Sequence, residues 1–440
     1  MPYILHYERI NDLKEFCNRH EIAEGVYFTS ITEKKFKVNR ISVMFITKLS
    51  EKTAAVNAVI PRLLTKNSKD CPTLAALNRR LSELYSATID YSVRSDGDLQ
   101  ICEIYMLVLS DRFALEGEKI LRESLDILIG CIFSPLLENG RFPAESLEIE
   151  KQNQMDDNDA EINDKTFYAF VRAYEAAFRG EPAEIRSAGK NEDVARITQD
   201  AAMEAYRNMT ETMRTEIICT GESDFDGVDR VFADAFGKIR RSPAPEISTV
   251  SSRAKTEPVR ITENLDVEQS KLVMFFKTSL RKKYPLMIMS NLYGGTETSK
   301  LFANVREKMS LCYFCYSRLG YMKGYVSAEC GVDKANLEKT EQECLNQLRE
   351  ITDGNFTDEE IDNIKLDITN KIMLSQDTVS GITSRCFSGI LYPENALSAE
   401  ETIALVNSVT REEIIEAAGS LTLDTVYILT PEGESGGTDE

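Results

Sequence analysis

A chain of 440 residues with 72 acidic against 52 basic side chains, a formal net charge of −20, repels nucleic acid and anionic lipid and suits basic peptides or a basic partner. Its length exceeds one ordinary core, so two to four lobes are expected, and apolar runs such as Leu125 to Phe133 fall far short of the roughly 18 residues that a membrane span needs. Met1 to Arg9 lacks the basic-then-apolar grammar of a secretion signal, so a cytoplasmic, membrane-free location is expected. Ten cysteines, scattered apart from Cys312 and Cys315, predict small buried hydrophobes in a reducing compartment and no disulfide framework.

In chain order, Phe36 to Leu49 reads as a strand, Thr53 to Leu64 and Thr73 to Ala87 as helices, and Thr88 to Leu109 as a hairpin turning at Asp96-Gly97. A helix-start signal at Phe142 to Lys151 leads into a long amphipathic helix. A second capped helix begins at Thr198 to Ala205, and a β-branched strand follows at Thr215 to Cys219. Between Gly237 and Pro258 the run Arg240-Arg241-Ser242-Pro243-Ala244-Pro245 and the Ser and Thr after it show no apolar periodicity and read as a linker.

Beyond it the same grammar recurs. Lys271 to Thr278 reads as a strand, Tyr284 to Tyr293 and Ser299 to Glu307 as helices, and Cys312 to Cys330 as a hairpin. The long helix returns at Phe356 to Lys365, the capped helix at Thr410 to Ala417 and the strand at Thr425 to Leu429. The offset is 214 residues from Phe142 to Phe356 and 212 from Thr198 to Thr410, a domain-sized repeat. The expected fold class is α+β, a tandem of two homologous halves over 1–236 and 259–431 with a linker at 237–258. Each half is an antiparallel-rich sheet with helices packed on one face. Residues 432–440, Gly-rich and acidic, predict a disordered tail.

Other features point to no chemistry. Arg281-Lys282-Lys283 is a solvated loop, and Gly294-Gly295 lacks the Lys-Ser/Thr of a phosphate loop and reads as a helix stop. Cys312-Tyr-Phe-Cys315 has redox spacing, but residues three apart on a regular strand face opposite ways, so the thiols are expected to stay apart. His6 and His20 are the only histidines, which leaves no evident base for a nucleophilic Ser or Cys.

Two stretches carry a family resemblance, Gly189-Lys-Asn-Glu-Asp-Val-Ala-Arg-Ile-Thr198 and, more strongly, Gly294-Gly-Thr-Glu-Thr-Ser-Lys-Leu-Phe-Ala-Asn-Val-Arg-Glu-Lys-Met-Ser-Leu-Cys-Tyr313. From about Val26 to Leu429 the chain resembles the insulinase or pitrilysin metallopeptidase family, which includes mitochondrial processing peptidase and smaller bacterial two-half peptidases. The resemblance implies a zinc site built on His-x-x-Glu-His in a first-half helix, where two imidazoles one turn apart grip the ion and the Glu activates its water. A third ligand, a Glu, comes from the later long helix. Here the matching helix, aligned through Arg62 to Pro72, reads Ala58-Val59-Ile60-Pro61-Arg62, so both His positions and the Glu are replaced.

A proline inside the helix costs about 3 kcal/mol unless it opens it, and Arg62 sets a fixed cation where zinc would sit. The third-ligand region survives as Glu150 and Asp157, either a solvated or vestigial face or a partner for Arg62. No catalytic residue, metal or cofactor is therefore expected in this chain alone, zinc being expected only in a partner.

The resemblance also implies an Arg and a Tyr from the second half that hold substrate near the metal, and Arg306 and Tyr313 match that spacing. The plain alternative pairs Arg306 with a surface carboxylate such as Glu297 and packs Tyr313 into its strand. A peptide is expected to add as a strand near Ser86 to Tyr91. The expected function is a non-catalytic subunit that binds peptide and completes the cavity of a zinc-bearing partner of the same family, supplying Arg306 and Tyr313 in trans within a heterodimer. The alternative is a peptide-binding or structural protein with no part in proteolysis.

Overall fold

The computed structural model describes residues 18–244 and 252–432. His6, Cys17 and the tail expected at 432–440 lie outside them, the tail from 433 onward. Two sheets organise the chain, and each is described by itself.

The first sheet has six strands: β1 (Asn18–Ala23), β2 (Val26–Thr32), β3 (Val38–Lys48), β4 (Thr88–Asp96), β5 (Leu99–Leu109) and β6 (Arg214–Gly221), in the order β1-β2-β6-β3-β5-β4. Only β2 and β6 run parallel. The second sheet has β7 (Val259–Leu265), β8 (Ser270–Lys277), β9 (Cys312–Gly320), β10 (Tyr325–Val332) and β11 (Thr422–Pro431), ordered β7-β11-β8-β10-β9, with β7 parallel to β11. The orders superimpose as β2-β6-β3-β5-β4 on β7-β11-β8-β10-β9, so the repeat read from the sequence is a repeat of topology. The sequence had shown no strand at β1, β2 or β7.

The helices needed below are α1 (Ala54–Leu64), α2 (Leu74–Glu83), α3 (Ile120–Phe133), α4 (Ala144–Ala160), α5 (Lys165–Ala177), α6 (Gln199–Glu211), α7 (Lys283–Ser290), α8 (Leu337–Thr352), α9 (Asp358–Ser375), α10 (Val379–Leu391) and α11 (Arg411–Gly419). α2 stops at Glu83, short of the Ala87 expected, because Tyr85 and Ser86 take left-handed backbone at φ 57° and 59° before β4 begins. The hairpin turns one residue later than expected, at Gly97-Asp98, where Gly97 supplies a φ of +57°. The helix expected at Ser299 to Glu307 is a π-helical segment, Leu301–Lys308, whose i→i−5 bonding persists to its end, Met309 N–H donating to the Asn304 carbonyl at 3.0 Å.

The chain forms two compact units, neither continuous in sequence: 1–158, 185–248 and 373–399 make one, and 159–184, 249–372 and 400–440 the other. In the first, the main core lies between one sheet face and α1, α2, α3 and α6, with Phe45, Ile60, Leu64, Leu77 and Leu128 buried. The opposite face carries a further helix beyond the single helical layer expected. Met44, Ile46, Ile101 and Ile218 pack on Cys386, Phe387 and Ile390 of α10, and the Thr383 hydroxyl meets that of Thr220 at 2.9 Å.

The second unit repeats the device with α5, whose Ala169, Ala173 and Ala177 lie against Val273, Phe275, Tyr427 and Leu429. Burying a side chain of that size is worth about 1.5–3 kcal/mol. The segment expected as a linker is tied down at its start, where Arg241 is buried and donates to the carbonyls of Glu24 at 2.7 Å, Met213 at 2.6 Å and Thr210.

Candidate functional site

α1 carries Ala58, Pro61 and Arg62, and Pro61 lies inside the helix without ending it. The Asn57 carbonyl, which would accept from residue 61 in an unbroken helix, instead faces the Cys102 thiol of β5 at 3.6 Å. Burial pushes the Cys102 thiol up to about 12, so it remains a donor.

One helical turn beyond Ala58, Arg62 reaches across to α4 and binds the Asp157 carboxylate at 2.5 Å, while its guanidinium lies 5.2 Å from the Tyr91 ring of β4. Glu150 is buried one face away, bonded to the Asn153 amide at 3.2 Å. Gln154 of α4 donates to the carbonyls of Ala55 and Ala188. Gly189 follows at φ +71°, and a Cβ there would lie 2.4 Å from that of Ala55. The Gly189 stretch thus clamps the start of α1 against α4.

These donors do not fit the family's zinc. Ala58 and Pro61 offer no ligand atom, and Arg62 places a permanent cation on the Asp157 carboxylate. No catalytic step can be routed through this position.

β4, which holds Tyr91, is an edge strand with one side unpaired in the sheet order. The segment from Ser86 to Tyr91 therefore offers backbone groups that a further strand could join.

In the second unit a cleft of about 640 Å³ opens between the Gly294–Thr298 turn, the π-helical segment, β9 and α9. Gly294 and Gly295 end the preceding helical run, and Gly294 packs so closely on β9 that a Cβ would lie 2.6 Å from the Ser317 nitrogen. Arg306 lines the cleft, half-buried, with its guanidinium 4.6 Å from the Phe302 ring and 3.6 Å from the Glu307 carboxylate. Arg306 thus pairs with a surface carboxylate, as the plain alternative had it, though the partner is Glu307 and not Glu297. Tyr313 does not pack into its strand. It is exposed, and its phenol donates to Asp333 at 3.2 Å, a bond that holds the phenol above its ordinary value and so protonated. Arg306 lines the cleft and Tyr313 does not.

One expectation is overturned here. Cys312 pairs with Val332 and Phe314 with Gly331, so Tyr313 is an extra residue in β9, a β-bulge. Cys315 pairs with Cys330, and because Cys330 and Val332 lie two apart on β10, the bulge brings Cys312 and Cys315 to the same face. The Cys315 sulfur in turn lies 2.8 Å from that of Cys330, and Cys330 lies 3.7 Å from Cys344. The sequence signal that could have shown this is CxxC read together with Cys330 and Cys344, but the bulge that closes it leaves no mark in the residue pattern.

Among the described residues no helix is long and apolar enough to cross a membrane. The Peptidase M16 inactive domain matches residues 196–367. A probable inactive metalloprotease, YmfF of Bacillus subtilis, is 27% identical over 370 residues, covering 82% of this chain and 85% of that one. The crystal structure of a conserved protein from Enterococcus faecalis aligns with a TM-score of 0.88 at 27% identity, covering 96% of this chain and 100% of that one. That of a peptidase M16 inactive domain from Pseudomonas fluorescens aligns at 0.77 and 15% identity, with 94% and 98% coverage, and shows the shared fold.

Proposed function

We propose that this chain, which is similar to the M16, insulinase-like peptidases and lacks their zinc motif, is a non-catalytic subunit that binds an extended peptide and completes the cavity of a zinc-bearing partner chain. The observation that carries this reading is the Arg62–Asp157 ion pair standing where a metal-ligand set belongs, beside an edge strand that is still open. Peptide bonding to β4 needs only backbone groups, so it survives the loss of the ligands.

Arg306 is the residue offered in trans. A guanidinium half-buried in an open cleft clamps a peptide carbonyl, and the protonated Tyr313 phenol donates to an oxyanion once Asp333 releases it. Hydrolysis itself belongs to the partner's zinc-bound water. The many buried free cysteines support a reducing, cytoplasmic setting.

The test is co-expression with a His-x-x-Glu-His chain of the same family and an assay on an unstructured peptide. The pair cleaves and a chelator abolishes cleavage. Arg306→Ala in this chain lowers kcat/KM of the pair by at least about tenfold, and full activity in that variant refutes the role in trans. Added peptide slows amide exchange across residues 88–96. If exchange there slows while no partner ever gives cleavage, peptide binding without proteolysis replaces the subunit reading.

A further inference from the structure

Four cysteines from three elements of the second unit converge in its core. Cys312 and Cys315 come from β9, Cys330 from β10 and Cys344 from α8, and all four are buried. The sulfurs of Cys315, Cys330 and Cys344 lie within 4.8 Å of one another, with Cys315 to Cys330 at 2.8 Å and Cys330 to Cys344 at 3.7 Å. Cys312 lies outside that 4.8 Å group, but the bulge in β9 turns it to the same face as Cys315. From these placements we propose that Cys312, Cys315, Cys330 and Cys344 form a thiolate site for one structural zinc ion, separate from the lost catalytic site and independent of the subunit reading above.

Three observations point to a metal in preference to simple packing. A tetrahedral zinc with ligands at about 2.3 Å holds its sulfurs about 3.8 Å apart, and the Cys330–Cys344 separation already has that value. Cys315 and Cys330 need only part by about 1 Å, a small side-chain rotation, to reach it. The β-bulge at Tyr313 is the second, since without it Cys312 would face away and the set would hold three sulfurs. The third is access: Cys315 lines the 640 Å³ cleft that opens to solvent, which gives an ion a route to the thiols.

Among the described residues no other group of three thiols lies this close, and Cys102 and Cys219 sit singly in the first unit's core. A Cys315–Cys330 disulfide would use two of the four sulfurs and leave Cys312 and Cys344 unexplained. Binding replaces each S–H proton by a bond to the ion, so up to four protons leave to solvent as one zinc enters.

The full chain, purified under reducing conditions without chelator, is expected to carry one zinc per molecule by elemental analysis. Cobalt(II) exchanged into the unmodified chain is expected to give thiolate-to-metal charge-transfer and tetrahedral d–d absorption. Cys344→Ser, and independently Cys315→Ser, remove most of the bound metal, whereas Cys219→Ser leaves it in place. Because the core variants can also lose structure, the cobalt spectrum of the unmodified chain decides. Metal-free protein that gives no such spectrum with excess cobalt(II) overturns the proposal, whether its four cysteines are found as free thiols or with Cys315 and Cys330 joined. A cobalt spectrum unchanged in Cys344→Ser and Cys315→Ser overturns it as well.

Discussion

Arg62 holds Asp157 from a largely buried side chain, yet the carboxylate is mostly exposed. Solvent screens such a pair, so Arg62→Ala is expected to cost less than about 1 kcal/mol in urea unfolding. Glu103 makes the contrasting case. It is buried and bonded to Arg40 at 2.7 Å and to Arg94 at 3.3 Å, all within the first unit. Glu103→Gln leaves buried charge uncompensated and is expected to cost about 3 kcal/mol by the same measurement. That Ala58, Pro61 and Arg62 offer no metal-ligand atom was readable from residue identities alone, because it depends only on which side chains exist. The way the fold absorbs Pro61, through the Cys102 thiol 3.6 Å from the Asn57 carbonyl, depends on a strand 45 residues away and was not.

α5 shows how a single element is held. Its last carbonyls, at the negative end of the helix, are met by two ammonium groups, Lys277 at 2.7 Å from Ala177 and Lys255 at 3.2 Å from Ala176. Asp424 of β11, fully buried, sits 2.7 Å from Lys255 and 3.6 Å from Lys277. Burial alone would raise this carboxyl, but the hydrogen bonds from Lys255 and Thr425 outweigh it and hold the group below its ordinary 3.8. A depressed folded value means the stabilisation is complete above about pH 4 and is lost as pH falls through that lower value. Asp424→Asn is therefore expected to lower stability at neutral pH and to flatten its fall between about pH 5 and 2, read from denaturant midpoints across that range.

At this scale the sequence served well for buried elements, whose apolar periodicity put β3, β5, β8 and α1 within a few residues of their ends. It failed for β1 and β7, where Arg19, His20 and Glu21, or Arg260, Glu263 and Asn264, lie at half-exposed sheet edges and interrupt any apolar alternation. It also failed at the π-helical segment, whose buried residues Leu301 and Val305, four apart, fit one face of an α-helix as well.

Taken whole, the molecule repeats one topology twice but does not divide where the repeat divides. Residues 159–184 belong to the second compact unit and 373–399 to the first. A fragment of residues 252–432 accordingly lacks α5 and bares Val273, Phe275, Tyr427 and Leu429. It is expected to bind a hydrophobic dye and to self-associate on gel filtration, and supplying residues 159–184 as a fused segment is expected to lower the dye signal without abolishing it, since Phe387 and Ile390 of α10 stay bare. Contacts made so far apart along the chain left no local periodicity to read. They also set an order of events during translation. The face of the first sheet formed by Met44, Ile46, Ile101 and Ile218 stays uncovered until Phe387 and Ile390 have left the ribosome. The earliest part of the protein to be synthesised is thus among the last to be finished, and the nascent chain carries an open apolar surface through most of its making, when a chaperone has its best opportunity to bind.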